Sequence, residues 1–254
     1  MWSFRAWRRR RLLERAALPQ AQWQELVASL GLLRGLSAEE LRDLQQLVLL
    51  FLVEKSVVGV QGLVLSDAMR LRIAVQACLP VLALGLDWYR DVRSVLVYPG
   101  GFVARHEYQD EDGVVHVERA ALSGEAWEQG PVILSWEDVE AEAPAGVNLV
   151  IHEFAHKLDM LNGAANGLPP LHAGMSVQQW AVDFAAAYAG LATEAELGGA
   201  MALDAYAAQD PAECFAVLSE AFFAAPDLLQ GSYPEVYGQL RLFYRQDPLL
   251  RLGG

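Results

Sequence analysis

The stretch from Asn148 to Asp159 constrains this chain more than any other, because it places His152-Glu153-x-x-His156 inside a strongly apolar segment. Val147, Val150, Ile151, Phe154 and Leu158 recur at steps of three and four, which predicts a helix with one apolar stripe turned to a core. His152 and His156 are four apart, so they lie one above the other on a different face. Two imidazoles one turn apart can share a single zinc ion, and Glu153 is then placed as general base on a zinc-activated water. This is the zincin arrangement, and it points to a metallopeptidase. Asn162-Gly163 supplies the stop signal for the helix.

Three fixed residues match by accident in roughly one chain in a hundred of this length, so the motif needs support from its surroundings. Accidental matches fall in loops or on solvated faces. Here both histidines sit among apolar neighbours, where polar groups are costly unless they have a partner. Asp159 follows His156 by three residues on the same face, near a helix C-terminus where the macrodipole disfavours a carboxylate. An acceptor for the outer N–H of a ligand histidine would explain it, and an ordinary exposed aspartate is the plainer alternative.

Composition narrows the function classes. The chain has 254 residues, 54% of them hydrophobic, enough for one large domain or two small ones. Its net charge of −13, from 32 acidic and 19 basic residues, argues against direct nucleic-acid binding. Cys78 and Cys214 are the two cysteines and show no C-x-x-C spacing, so neither a disulfide framework nor a thiolate zinc site is predicted, and a reducing cytoplasm is the simplest compartment. Residues 1–20 form a basic segment in which Glu14 and Arg15 interrupt any apolar run, a poor secretory signal. Its aromatics and arginines suit an anionic membrane surface, but a helix docking its aromatics on the domain is the favoured reading. The longest apolar run, Ile73 to Leu86, contains Gln76 and Pro80 and is too short to span a bilayer.

Along the chain, residues 21–34 and 37–53 read as helices, the second opened by a Ser37 to Glu40 capping box and buried through Leu41, Leu44, Leu47, Val48 and Phe51. Residues 57–65 read as a short strand or extended loop whose glycines are turn or close-approach positions, and Ser66 or Asp67 caps a helix to about Leu79. Strand-like runs follow at Ser94–Tyr98, in a hairpin from Phe102 to Glu118, and at Pro131–Ser135. Runs of strands between runs of helices predict α+β: a mostly helical single domain, 1–254, with a small mixed or antiparallel sheet. Residues 162–175 read as a loop, followed by helices from Ser176 to about Leu191, from Pro211 to Ala225 and from Pro234 to Arg245. Trp180, Phe184 and Tyr188 are core positions; His106 and His116 are read as exposed or satisfied histidines rather than ligands, and His172 as a surface loop residue rather than a substrate contact.

A catalytic zinc takes three protein ligands and keeps an open position. The third must come from after the motif helix, and Glu213 and Glu220, seven apart on one face of an apolar helix, are the candidates. Glu213 has a competing role, since Asp210 as N-cap, Pro211 and Glu213 make a capping-box variant. Spacing alone leaves Glu213 as cap, Glu213 as ligand and Glu220 as ligand all open.

His152-Glu-Phe-Ala-His-Lys-Leu-Asp159 together with Asp210-Pro-Ala-Glu-Cys-Phe-Ala-Val-Leu-Ser-Glu220 resembles the Mlc titration factor A family of bacterial zinc peptidases. The resemblance extends to Glu54-Lys-Ser-Val-Val-Gly-Val-Gln-Gly-Leu63 and Tyr98-Pro-Gly-Gly-Phe102, and so covers essentially the whole chain except the arginine-rich start. It implies zinc (Zn2+) held by His152, His156 and Glu213, with Glu153 as base. The family's catalytic core is similar to that of anthrax lethal factor, where a tyrosine seven residues before the ligand glutamate points at the zinc; Tyr206 occupies that place and would stabilise an oxyanion. The resemblance further implies a cytoplasmic, gluzincin-like aminopeptidase acting on peptides or small proteins, and binding of the glucose repressor Mlc. Two rivals stand beside that reading: a regulatory protein that sequesters a transcriptional repressor, with hydrolysis secondary, and a zinc-stabilised domain without catalysis. The intact Glu153 argues against the second.

Overall fold

Side-chain caps set the ends of the principal helices. In the computed structural model, which describes residues 4–15, 18–109, 115–122, 124–126, 130–141, 145–198 and 201–252, Ser37 and Glu40 form the predicted reciprocal box, at 3.2 and 2.8 Å. Ser66, Asn148, Ser176 and Asp210 each accept from a backbone N–H of the turn they open. The helices are α1 (Phe4–Arg15), α2 (Gln20–Ser29), α3 (Ala38–Glu54), α4 (Asp67–Cys78), α5 (Trp136–Glu140), α6 (Leu149–Asp159), α7 (Val177–Leu197), α8 (Pro211–Ala224), α9 (Pro226–Ser232), α10 (Pro234–Tyr244) and α11 (Pro248–Leu252). The strands are β1 (Ser56–Gly59), β2 (Ser94–Tyr98), β3 (Phe102–Gln109), β4 (Val115–Leu122), β5 (Gly124–Ala126) and β6 (Val132–Ser135).

The chain is mostly helical, around a sheet ordered β1-β2-β6-β5. Its first three strands are parallel, in register through Val57, Val95 and Val132, and β5 runs antiparallel at the edge. The sheet is thus more parallel than the predicted mixed or antiparallel one. The connection explains this: β1 and β2 are joined through α4, a crossover, and not by a tight turn. β3 and β4 form the predicted hairpin as a separate two-stranded sheet. Gly59 approaches the Leu63 carbonyl so closely that a Cβ would overlap it, and Gly62 has φ of 84°, so both serve a turn, as expected.

Helix α6 is the centre of the molecule and packs against α8, α4, β5 and β6. Its apolar stripe is fully buried, with Phe154 against Tyr89 (ring centroids 4.8 Å apart) and Phe51 (5.7 Å). Trp180 stacks on Phe184 at 4.3 Å and meets Phe215 and Phe243, so these two aromatics of α7 are core, as predicted, whereas Tyr188 is half-buried at the edge of it. Two departures have local causes. The predicted helix over 21–34 stops at Ser29, and a 3-10 turn (Gly31–Leu33) runs into Gly35, whose φ of 78° and contact with the Arg251 backbone no side chain would allow. Helix α1 docks through Arg9, which bonds both oxygens of Glu54 at 2.8 and 2.9 Å and reaches Asp87 at 2.8 Å, whereas Trp7 is 43% exposed beneath the Arg11 guanidinium and the Phe4 side chain lies outside the described residues. Among the described residues, no helix is long and apolar enough to cross a membrane.

Candidate metal centre

Asn148 starts α6 by accepting from the Ile151 N–H at 2.9 Å, and this turn presents His152 and then His156 to α8. On the facing helix, Asp210 caps α8 by accepting from the Ala212 and Glu213 N–H groups. The cap is therefore complete without the Glu213 carboxylate, which turns to the histidines and makes no bond back to Asp210. Glu213 Oε2 lies 2.9 Å from His152 Nε2 and 3.3 Å from His156 Nε2, and the two Nε2 atoms are 3.2 Å apart. Three lone-pair donors thus close a triangle. Ligands about 2.0–2.1 Å from a tetrahedral zinc stand about 3.3 Å from one another, so the donor set and its spacing suit that ion.

The surroundings orient these donors. Glu220 Oε1 sits 2.6 Å from His152 Nδ1, so that nitrogen carries the proton and Nε2 is left as donor to a metal. Its other oxygen accepts a short hydrogen bond from the Asn148 backbone N–H, and Asn148 Nδ2 donates to Gln76 Oε1 on α4 at 2.6 Å. The two glutamates that spacing left undecided therefore divide the work, Glu213 inside the triangle and Glu220 behind His152. Asp159 does not take the role expected of it. Its Oδ2 accepts from the Asn166 and Gly167 N–H groups at 2.8 and 2.7 Å, tying down the loop after α6, while His156 Nδ1 and Asp159 Oδ1 are buried without a hydrogen-bond partner.

Burial and charge set the protonation states. Burial lowers the proton affinity of His152, but its hydrogen bonds to Glu213 and Glu220 outweigh this and hold it well above the usual imidazole value. Burial raises Glu213, and the two imidazoles reverse the sign, bringing it down to about 2. Burial dominates at Glu153, which is pushed up to about 7 although His152 and His156 oppose it. Glu153 is 4% exposed and its Oε2 has no hydrogen-bond partner. Strand β5 comes directly against it: a Cβ on Gly124 would overlap Glu153 Oε1 and stand 2.7 Å from Leu149 Cδ1. Tyr206, in a 3-10 turn (Ala205–Ala208) capped by Asp204, is 40% exposed with its ring centroid 6.0 Å from that of His152. Burial, with Glu213 and Glu153 nearby, pushes its phenol up to about 12.

All five predicted site residues, His152, Glu153, His156, Tyr206 and Glu213, therefore meet at the α6–α8 contact. His172 lies apart, with Nε2 2.8 Å from the Phe243 carbonyl and its ring against Trp88, a satisfied histidine. The side chains of His106 and His116 lie outside the described residues. Cys78 and Cys214 are buried free thiols raised by burial, outside the donor cluster. Sequence reasoning missed β5 and Gly124; a glycine between strand-like runs was the available signal for a close backbone approach. It also missed the role of Gln76, whose signal was a polar side chain inside an apolar run.

Comparison with known proteins extends the same reading over the chain. Mlc titration factor A of Cronobacter sakazakii is 47% identical over 241 residues, 93% of this chain and 90% of the relative. The protein of that name from Yersinia enterocolitica is 45% identical, covering 91% of this chain and 88% of its own length, and that from Escherichia coli O9:H4 is 45% identical, covering 97% and 92%. The profile of the glucose-regulated metallo-peptidase M90 family matches residues 4–245, from the first described helix through the end of α10. Taken with the convergence of α6 and α8 on one donor triangle, that match places the chain in the M90 family of metallopeptidases.

Proposed function

We propose that this chain is a zinc-dependent, gluzincin-like peptidase in which His152, His156 and Glu213 hold the metal, Glu153 is the general base and Tyr206 steadies the oxyanion. The observation that carries this reading is the donor triangle, with edges of 2.9, 3.2 and 3.3 Å. When bound, zinc supplies Lewis acidity that polarises a scissile carbonyl and acidifies a water. Glu153, poised by burial close to neutrality, takes the proton of the attacking water and passes it to the departing amine. The Tyr206 phenol stays protonated at neutral pH and donates to the carbonyl oxygen as negative charge develops there. Glu220 keeps the His152 ring in one tautomer and one orientation. Strand β5, last in the sheet and against Glu153, offers an edge on which an extended substrate can add as a further strand.

The substrate class that follows is a peptide or small protein, with aminopeptidase-type cleavage and a cytoplasmic setting as the resemblance implies. A second reading is favoured by the name its relatives carry: titration of the repressor Mlc, with hydrolysis secondary. Glu153→Gln separates the two. Zinc content and melting temperature should match the parent, while hydrolysis across a panel of chromogenic amino-acid and peptide substrates falls by about 10²-fold or more, because an amide cannot accept the proton. Most of the activity surviving in that variant would remove Glu153 from the mechanism. Normal repressor binding by the inactive variant would support the titrating role.

A further inference from the structure

Charge is unevenly distributed over this acidic chain. Six arginines and Glu14 give its first fifteen residues a charge of +5, so the remainder carries −18 of the net −13. Part of that basic segment faces a second source of arginines across a groove of about 640 Å³. Arg8 comes from α1, whereas Arg90 and Arg93 come from the turn leading into β2. A run of arginines along one helix is ordinarily a solvated face. Here two separate elements bring guanidinium groups to one concavity.

The carboxylates nearby leave these arginines in reserve. Glu54 lines the groove, but Arg9 holds both of its oxygens at 2.8 and 2.9 Å, and Arg8 comes only within 3.9 Å of it. Arg90 has its neighbour Asp91 at 3.3 Å, both side chains more than half exposed. Arg93 is exposed and has no ion pair among the described residues. The wall is firm, since buried Lys55 donates to the Tyr89 and Val92 carbonyls at 2.6 and 2.7 Å and pins the end of α3 to the turn. Between the charges the lining is aliphatic, with Val53 49% exposed beside Leu12.

We propose that this groove docks an acidic, extended segment of a protein partner, its carboxylates on Arg8, Arg90 and Arg93 and an aliphatic side chain over Val53 and Leu12. A short segment feels mainly the groove, because charges beyond about 8 Å are screened at physiological ionic strength. An anionic vesicle or a nucleic-acid duplex would have to bring its whole surface against a molecule that is acidic elsewhere. The docking surface is separate from the donor triangle, so it does not depend on the metal reading.

The probe is a short fluorescein-labelled peptide of aspartates and glutamates around two leucines, titrated by anisotropy into the full chain carrying Glu153→Gln, which prevents cleavage. Saturable binding is expected, weakened at least about ten-fold by Arg90→Glu with Arg93→Glu, and weakened by raised salt. Arg42→Glu, an exposed site about 18 Å from Glu54 along α3, should change affinity less than about two-fold. Arg93→Gln alone, at an exposed residue that holds nothing in place, should weaken binding should the double reversal fail to fold. No saturable binding, equal affinity in the reversed protein, or binding to phosphatidylserine vesicles in preference to the peptide would each overturn the proposal.

Discussion

Glu213 and Glu220 share a helix face and differ in what they touch. Glu213 Oε2 meets both Nε2 atoms, whereas Glu220 bonds His152 Nδ1 and the Asn148 N–H from behind. Glu213→Ala should therefore remove one of three ligands and weaken zinc by orders of magnitude, while α8 keeps its cap, which Asp210 supplies. Glu220→Ala should weaken zinc by roughly 10–100-fold and also lower stability by about 1–3 kcal/mol, since the Asn148 N–H loses its acceptor. Chelator-competition titrations beside thermal melts test both, and parent-like zinc affinity in Glu213→Ala would mean the ligand is misassigned. Gly124 is the other residue whose identity matters at this scale. A methyl group there would displace Glu153, so Gly124→Ala should cut kcat by about 10²-fold while zinc affinity stays within a few-fold of the parent. An unchanged kcat would show that β5 does not hold the base in place.

At the level of elements, what could be read in advance was whatever a local rule dictates. The Ser37 box, the Asn148–Asp159 helix and the Asp210-Pro211 start of α8 announce themselves through caps and apolar spacing within a few residues. The four-residue spacing made the juxtaposition of His152 and His156 on one helix face legible for the same reason. Strand β5 was not legible, because three residues carry no alternation and its place is fixed only by pairing with β6. The partners of Asp159 were also out of reach, since they are backbone groups of a loop with no pattern of its own. That loop now carries a prediction. Asp159 fixes the Asn166 and Gly167 N–H groups, and the Gly167 carbonyl accepts from Trp180 Nε1 at 2.9 Å, so one carboxylate links α6 to the docking of α7. Asp159→Ala should lower stability by about 2–4 kcal/mol and change zinc affinity less than ten-fold, both read from melts and chelator competition. A large loss of zinc with little loss of stability would return Asp159 to the role of partner to His156.

For the whole molecule, the donor triangle joins segments more than fifty residues apart, from His156 on α6 to Glu213 on α8, and a bound ion there acts as a cross-link. Binding to the folded state alone stabilises by about 2.7 kcal/mol at a free zinc concentration 100-fold above Kd, which for a chain of this size raises Tm by about 5–10 °C. The size of that rise should depend on pH, and the direction follows from His152. Its folded proton affinity lies well above the ordinary value of 6.5, owing to Glu213 and Glu220, so in the metal-free protein its protonation contributes stability that is full below 6.5 and lost as pH climbs through the folded value. Zinc must displace the Nε2 proton while Nδ1–H stays on Glu220, so binding releases a proton and strengthens as pH rises. Metal-free stability should fall over that range, and the growing zinc affinity widens the gap in Tm between zinc-loaded and chelated protein from about pH 6 to about pH 8. Scanning calorimetry across that range, with free zinc held by a buffer, reads the gap directly. A gap that is flat or narrows with rising pH would mean that the ion is not held by these imidazoles.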